Sequence, residues 1–254
     1  MNLAIDIGNT STKFAVFSNS KAVYYFRMPT SPKINPMGIF KNLPQSIRNE
    51  IKQIGISSVV PSENVMYRQS CIKYFGIKPL MISAKIKLPV NVTTVEPLKT
   101  GADRICIASA GYEYYKKKKN VIVVGLGTAN TFDVILKDGE FTGGLIAAGI
   151  GISSKALYDL TEKLPLIDNK NLKLPKKITG KSPEEAVTSG LMYSALYSVD
   201  GIVKHIEKQF KRKFKIIITG GFAKKLKKHI KFDAKFIDDM VLKGINEILN
   251  FNAA

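Results

Sequence analysis

Metal-ligating and redox residues are scarce. Cys71 and Cys106 are the only cysteines, they lie far apart within apolar runs, and only His205 and His229 could join them. No CxxC spacing is present, so a zinc site is not expected, and two free thiols suit a reducing cytoplasm. Arginine is almost as rare: five against 34 lysines, in a chain with a formal net charge of +19. Readers of DNA and RNA exploit the bidentate and stacking geometry of arginine. The runs "KKKK" at 116–119 and "KKLKKH" at 224–229 are not interleaved with aromatics. The lysines are therefore read as solvated faces that mildly attract anionic substrates, without a nucleic acid partner. Long apolar runs are missing too. The longest are strand-sized, which argues against a membrane span, and "MNLAIDIGNT" shows no charged leader followed by an apolar block. A cytoplasmic location is expected.

What the chain does have is enough apolar material, 45% of 254 residues, for a substantial core. That length suits two compact halves that share a cleft. An internal repeat points the same way. The segment "DIGNTSTKFAVF" (6–17) lines up without gaps on "GLGTANTFDVIL" (125–136), the copies starting 119 residues apart. Each follows an apolar run, turns at glycine with small polar residues, and returns through an alternating segment, the pattern of a β-hairpin. The division expected is 1–117 and 118–254.

Further along each half the pattern alternates between strand and helix. Strands are expected within 51–62 and 77–83, and a helix over 102–117. In the second half, 141–153 leads into a helix at 153–164, and a basic loop covers 170–181. A single long helix fills 182–210, with Ser182 as N-cap, Pro183 at the first helical position and Glu185 as the capping-box acid. "FKIIITGG" (214–221) reads as a buried strand ending in a glycine pair, and 222–230 as a helix.

Two glycine turns facing each other across a cleft can wrap a triphosphate. Gly8 and Gly127 allow close approach of backbone N–H groups to phosphate oxygens. The hydroxyls of Thr10, Thr12, Thr128 and Thr131 add donors, and Lys13 offsets phosphoryl charge. Asp6, at the end of the first strand, is placed to hold Mg²⁺ through water. Gly220 and Gly221 suit a nucleoside lying on bare backbone. In "TGADR", Asp103 can accept a proton from an attacking hydroxyl while Arg104 clamps an anion. Each signal has a plainer alternative: an ordinary hairpin for the turns, and a helix N-terminal acid for Asp103. The duplication together with "TGG" at 219–221 favours the nucleotide reading of the turns.

The motifs "DIGNTSTKFAVF", "SSVVP" (57–61), "GADR" (101–104), "GTANTFDV" (127–134), "GGLIAAGIGIS" (143–153), "LTEKLP" (160–165) and "TGG" (219–221) together resemble the type III pantothenate kinase family. The resemblance covers essentially the whole chain. It implies an α/β fold of two duplicated ribonuclease-H-like domains, the actin, hexokinase and acetate kinase superfold, with the active site in the cleft between them. It implies ATP-dependent phosphorylation of pantothenate, the first step towards coenzyme A, by a homodimer using Mg²⁺ and a monovalent cation, K⁺ or NH₄⁺. Carried over, Asp6 is the metal-associated acid. Gly8, Asn9, Thr10 and Lys13 form the first phosphate loop, and Gly127 and Thr128 the second, with Gly220 and Gly221 at the nucleotide. Asp103 is the general base, and Gly101, Ala102, Asp103 and Arg104 meet pantothenate. Gly143, Gly144, Gly149 and Gly151 match the family's glycine-rich helix entry.

Three positions depart from that pattern. Gly125 stands where the second turn usually begins with aspartate, and Asp133 is the motif's own acid, not a replacement. Thr94 stands near the place of a tyrosine. Pro183 replaces a threonine that contacts pantothenate, leaving Ser182 to substitute from one position away. The departures keep a second class open: a catalytically impaired relative that binds nucleotide or pantothenate and acts as a regulatory or accessory protein.

Overall fold

A computed structural model describes residues 1–31, 34–168 and 172–253. In chain order it contains β1 (Asn2–Ile7), β2 (Ser11–Ser18), β3 (Lys21–Pro29), α1 (Pro36–Phe40), α2 (Gln45–Arg48), β4 (Gln53–Ser58), α3 (Asn64–Phe75), β5 (Leu80–Met81), β6 (Asn91–Val92) and α4 (Ala102–Tyr114). There follow β7 (Val121–Leu126), β8 (Ala129–Ile135), β9 (Glu140–Ala148), α5 (Ile150–Asp159), α6 (Pro183–Phe210), β10 (Lys215–Thr219), α7 (Ala223–Leu226), β11 (Ala234–Phe236) and α8 (Met240–Ala253).

The chain groups into two compact units. The first comprises Met1–Lys118, Ile135–Gly143 and Asp239–Ala254, the second Lys119–Val134 and Gly144–Asp238. In the first unit the main sheet has the order β3-β2-β1-β4-β5, with β1–β2 and β2–β3 antiparallel and β1–β4 and β4–β5 parallel. In the second unit the order is β9-β8-β7-β10-β11, with β7–β10 and β10–β11 parallel. Strand for strand the two orders correspond, and β1 and β7 have the same limits under the 119-residue offset. The duplication seen in the sequence is therefore a duplication of topology.

Strand parity decides what each face of the first sheet does. Leu3, Ile5 and Ile7 of β1, with Phe14 and Val16 of β2, join Phe40 and Tyr67 in one buried cluster. Ala4, Ala15 and Phe17 join Ala102, Ile105 and Cys106 of α4 and Leu242, Ile245, Ile248 and Leu249 of α8 in another. Each large aliphatic side chain so buried contributes about 1.5–3 kcal/mol. Small residues let α4 and α8 come close. A Cβ on Gly244 would lie 1.9 Å from the Cys106 carbonyl oxygen, and one on Gly55 would lie 2.5 Å from Ile245 Cγ2. Since successive strand residues alternate in face, Asp6 and Lys13 share the α4/α8 face with Ala4 and Ala15. Within this unit the start of β9 also pairs in parallel with β6, Asn91 opposite Glu140.

In the second unit β7 is a continuous apolar run, as expected for a strand covered on both faces. The long helix forms as its capping residues dictate: Ser182 Oγ accepts the Glu185 N–H at 3.2 Å and Pro183 opens α6. The Glu185 carboxylate accepts from the Lys181 N–H at 2.7 Å rather than from Ser182 itself.

Three expectations shift. The segment 141–153 forms most of β9 before the chain enters α5, which begins at Ile150 and ends at Asp159, not at 153 and 164. The strand expected over 77–83 shortens to Leu80–Met81, and the helix over 222–230 becomes α7 followed by a 3₁₀ turn at Lys227–His229. Of the basic loop 170–181, residues 170 and 171 lie outside the described residues. Among the described residues no helix is long and apolar enough to cross a membrane.

Candidate active site

The first glycine turn, residues 8–10, links β1 to β2. Its Gly8 N–H donates to the Ser11 carbonyl at 3.2 Å, and Asn9 and Thr10 are exposed. Register places Asp6 directly opposite Lys13 on the neighbouring strand. Lys13 Nζ lies 3.9 Å from Asp6 Oδ2 and 3.9 Å from Asp239 Oδ1, the residue immediately before α8. Asp6 is only 7% exposed. Burial pushes its carboxyl up to about 7, Lys13 opposes that shift, and the charges of Asp103 and Asp239 add to it. A strand end and the residue before a helix thus bring two carboxylates to a single ammonium, and the charge of Asp103 at the start of α4 acts on one of them.

Asp103 occupies the first turn of α4. Its Oδ1 accepts the Arg104 backbone N–H at 2.8 Å. A Cβ on Gly101 would sit 2.6 Å from that oxygen, so the carboxyl curls over the bare N-cap residue. Burial raises the Asp103 pKa, while the Arg104 amide and guanidinium draw it back. The Arg104 guanidinium lies 5.6 Å from the centroid of Phe141, inside the same unit. Asp103 is at once a helix-start acid and a carboxyl held near Asp6, so the two readings of it coexist.

The second glycine turn closes one residue earlier than the first. Gly127 N–H donates to the Ala129 carbonyl at 3.2 Å, where the gapless alignment had matched Ser11 with Asn130. The turn is tightly enclosed by backbone: a Cβ on Gly149 would fall 2.3 Å from Gly127 O and 2.4 Å from Thr128 O. Gly220, at φ +102°, closes over Leu126, where a Cβ would lie 2.3 Å from the carbonyl oxygen. Gly127, Thr128, Gly149 and Gly220 therefore form one corner of the second unit, with Gly221 beside it. At Gly125 a Cβ would meet Thr131 Oγ1 at 2.7 Å, and that hydroxyl is buried with no hydrogen-bond partner.

Thr12 is corrected by the structure. It is fully buried on the face opposite Lys13, and its hydroxyl lies 2.9 Å from that of Thr30, because its strand parity matches Phe14 and Val16. Thr94 bonds the Thr100 hydroxyl at 2.9 Å, and Ser182 serves the α6 cap. Asp239 escaped sequence reasoning; its only local signal is an acid just ahead of a helix, as in "DDMVLKGI". Both thiols are free and buried, and burial pushes Cys71 up to about 12 and Cys106 well above its usual range. Neither is poised as a nucleophile.

Among the described residues no group of three His, Cys, Asp or Glu side chains could hold a metal unaided. Mg²⁺ that arrives with a polyphosphate needs only one or two carboxylates. A carboxylate whose charge is disfavoured by burial gains from an added cation, so Asp6 fits that group.

Two sheets of matching strand order, each with a glycine turn after its first strand, are the arrangement of the actin-like fold. Consistent with that class, a ROK family glucokinase from Streptomyces griseus, solved with glucose and AMPPNP, matches at a TM-score of 0.55. It shares 12% identity, and the match covers 98% of both chains. The family model described as type III pantothenate kinase matches residues 2–205. Type III pantothenate kinases from Persephonella marina (33% identical, 99% of each chain) and Syntrophus aciditrophicus (36% identical, 100% of each) are similar over their full lengths. The chain belongs to the type III pantothenate kinase family.

Proposed function

We propose that this chain transfers the γ-phosphoryl group of ATP to the terminal hydroxyl of pantothenate, giving ADP and 4'-phosphopantothenate, the first step of coenzyme A synthesis. The observation that carries the reading is the corner of the first unit, where Lys13 pairs with a buried Asp6 that also feels the charge of Asp103. Asp103 accepts the proton of the attacking hydroxyl; burial raises its basicity, which suits a general base. Gly8 uses its own N–H to close the turn, so phosphate contact falls to Asn9, Thr10 and Lys13. Gly127 and Thr128 hold phosphate in the second unit, Gly220 and Gly221 lie against the nucleoside, and Gly101, Ala102, Arg104 and Ser182 bind pantothenate. Asp6 holds Mg²⁺, which when bound shields phosphate charge.

K⁺ or NH₄⁺ belongs to the same reading. Gly125 offers that ion no carboxylate, and the unpartnered Thr131 hydroxyl is the buried oxygen left beside it. A homodimer in the cytoplasm completes the reading. Leu145, Ile146, Ile152, Leu157, Leu160 and Tyr197 of the second unit are exposed, beside an 850 Å³ groove between α5 and α6. Such an apolar surface suits a second copy of the chain. The halves 1–117 and 118–254 are proposed as the duplicated sequence, residues 135–143 and α8 of the second packing in the first unit.

Pantothenate-dependent ADP release, measured with MgATP in the presence and absence of K⁺, tests the reading. The expected result is turnover that requires pantothenate. Gly125 and Pro183 favour the alternative of a nucleotide- or pantothenate-binding regulator, and binding without turnover under any cation would select it.

A further inference from the structure

The first glycine turn is held in part from outside. It is short, and Asn9 and Thr10 are exposed. Inside it a bond runs from Gly8 N–H to the Ser11 carbonyl. From outside, one residue reaches two of the turn's carbonyls. Thr30, the first residue after β3, donates its hydroxyl to Gly8 O at 2.6 Å and its backbone N–H to Thr10 O at 3.2 Å.

Peptide planarity gives this clamp a consequence. In a trans peptide the C=O and the following N–H point in opposite directions. Holding Gly8 O on Thr30 therefore aims the Asn9 N–H away from Thr30, and holding Thr10 O fixes the peptide that leads into β2. A backbone N–H held so in a turn is a donor for an anion. The clamp is itself braced. Because the Thr30 hydroxyl proton goes to Gly8 O, the 2.9 Å contact with Thr12 must have Thr12 as donor. Thr12 is 0% exposed, so this pair of hydroxyls is braced within the core, shielded from water.

We propose that Thr30 is a positioning residue for the nucleotide, aiming the Asn9 amide of the first turn at its phosphates through the Gly8 carbonyl while its own N–H holds the Thr10 carbonyl. This rests on the reading of the chain as an ATP-dependent kinase. Thr30→Val keeps the side-chain shape and removes the hydroxyl, while Thr30→Ser keeps the hydroxyl. Steady-state kinetics of pantothenate-dependent ADP release should show KM for MgATP raised about tenfold in Thr30→Val, the loss of roughly one aimed hydrogen-bond array. KM for pantothenate should stay within about twofold, since the acceptor does not meet this turn, and Thr30→Ser should restore KM for MgATP.

An unchanged KM for MgATP in Thr30→Val, an equal rise in both KM values, or failure of Thr30→Ser to rescue would each overturn the clamp while leaving the kinase reading intact. An unsubstituted chain that neither turns over nor binds MgATP would reject the kinase reading, and the clamp with it. Should Thr30→Val not fold, Thr12→Val removes the brace on the Thr30 hydroxyl and should raise KM for MgATP about threefold; no change there would also overturn the proposal.

Discussion

Asp6 links the chemistry to stability in a way that can be measured without any ligand. Its carboxyl is buried, faces Lys13 from β2, Asp103 from α4 and Asp239 from the start of α8, and is pushed up to about 7 from an unfolded value of 3.8. Between those two pH values the folded state binds the proton and the unfolded chain has released it. Stability therefore falls as pH rises through that window and levels off above it. One pH unit corresponds to about 1.4 kcal/mol, so the two units from about pH 5 to pH 7 give about 2.7 kcal/mol as an upper bound. Water entering the corner and Lys13 closing on the ionised carboxylate reduce that to about 2 kcal/mol. Asp6→Asn removes the titration and keeps the shape. Urea denaturation of both proteins at about pH 5 and pH 8 should show the variant gaining about 2 kcal/mol relative to the parent at the higher pH. The variant should also lose turnover. Parallel pH profiles for the two proteins would refute the claim that Asp6 is held in a corner hostile to its charge.

Other consequences are simpler to read. Gly149→Ala forces a Cβ against the Gly127 and Thr128 carbonyls, so it should cost about 2–3 kcal/mol and weaken MgATP binding. Gly201→Ala, in α6 with nothing within 4 Å, should instead be neutral or stabilise by up to about 1 kcal/mol in the same melts. Ser182→Ala removes the cap of α6 and should cost about 1 kcal/mol by denaturant titration, with Ser182→Asp recovering it.

The sequence announced its local features clearly. Hairpin turns at Gly8 and Gly127 are written in small polar residues that few other structures favour. The 28 residues of α6 lie where capping chemistry puts them, because Ser182, Pro183 and Glu185 act within one turn of the chain. What stayed hidden depends on distant segments meeting. Asp239 matters only because α8 returns to the first unit, 226 residues after Lys13 in the sequence (239 − 13). Thr30 acts through strand register, which places the end of β3 beside the turn before β2. Thr12 looked like a phosphate ligand because it sits near the turn, yet strand parity sends it into the core. The glycines of "FTGGLIAAGIGIS" blurred the end of β9, since Gly143 and Gly144 adopt positive φ inside a strand.

The most direct test is 4'-phosphopantothenate formation from MgATP and pantothenate, followed by mass spectrometry for the parent chain and for Asp103→Asn. Product is expected from the parent and a rate about 10²–10⁴-fold lower in the variant, with MgATP binding retained, as loss of a general base requires. Equal rates in the two proteins would contradict it.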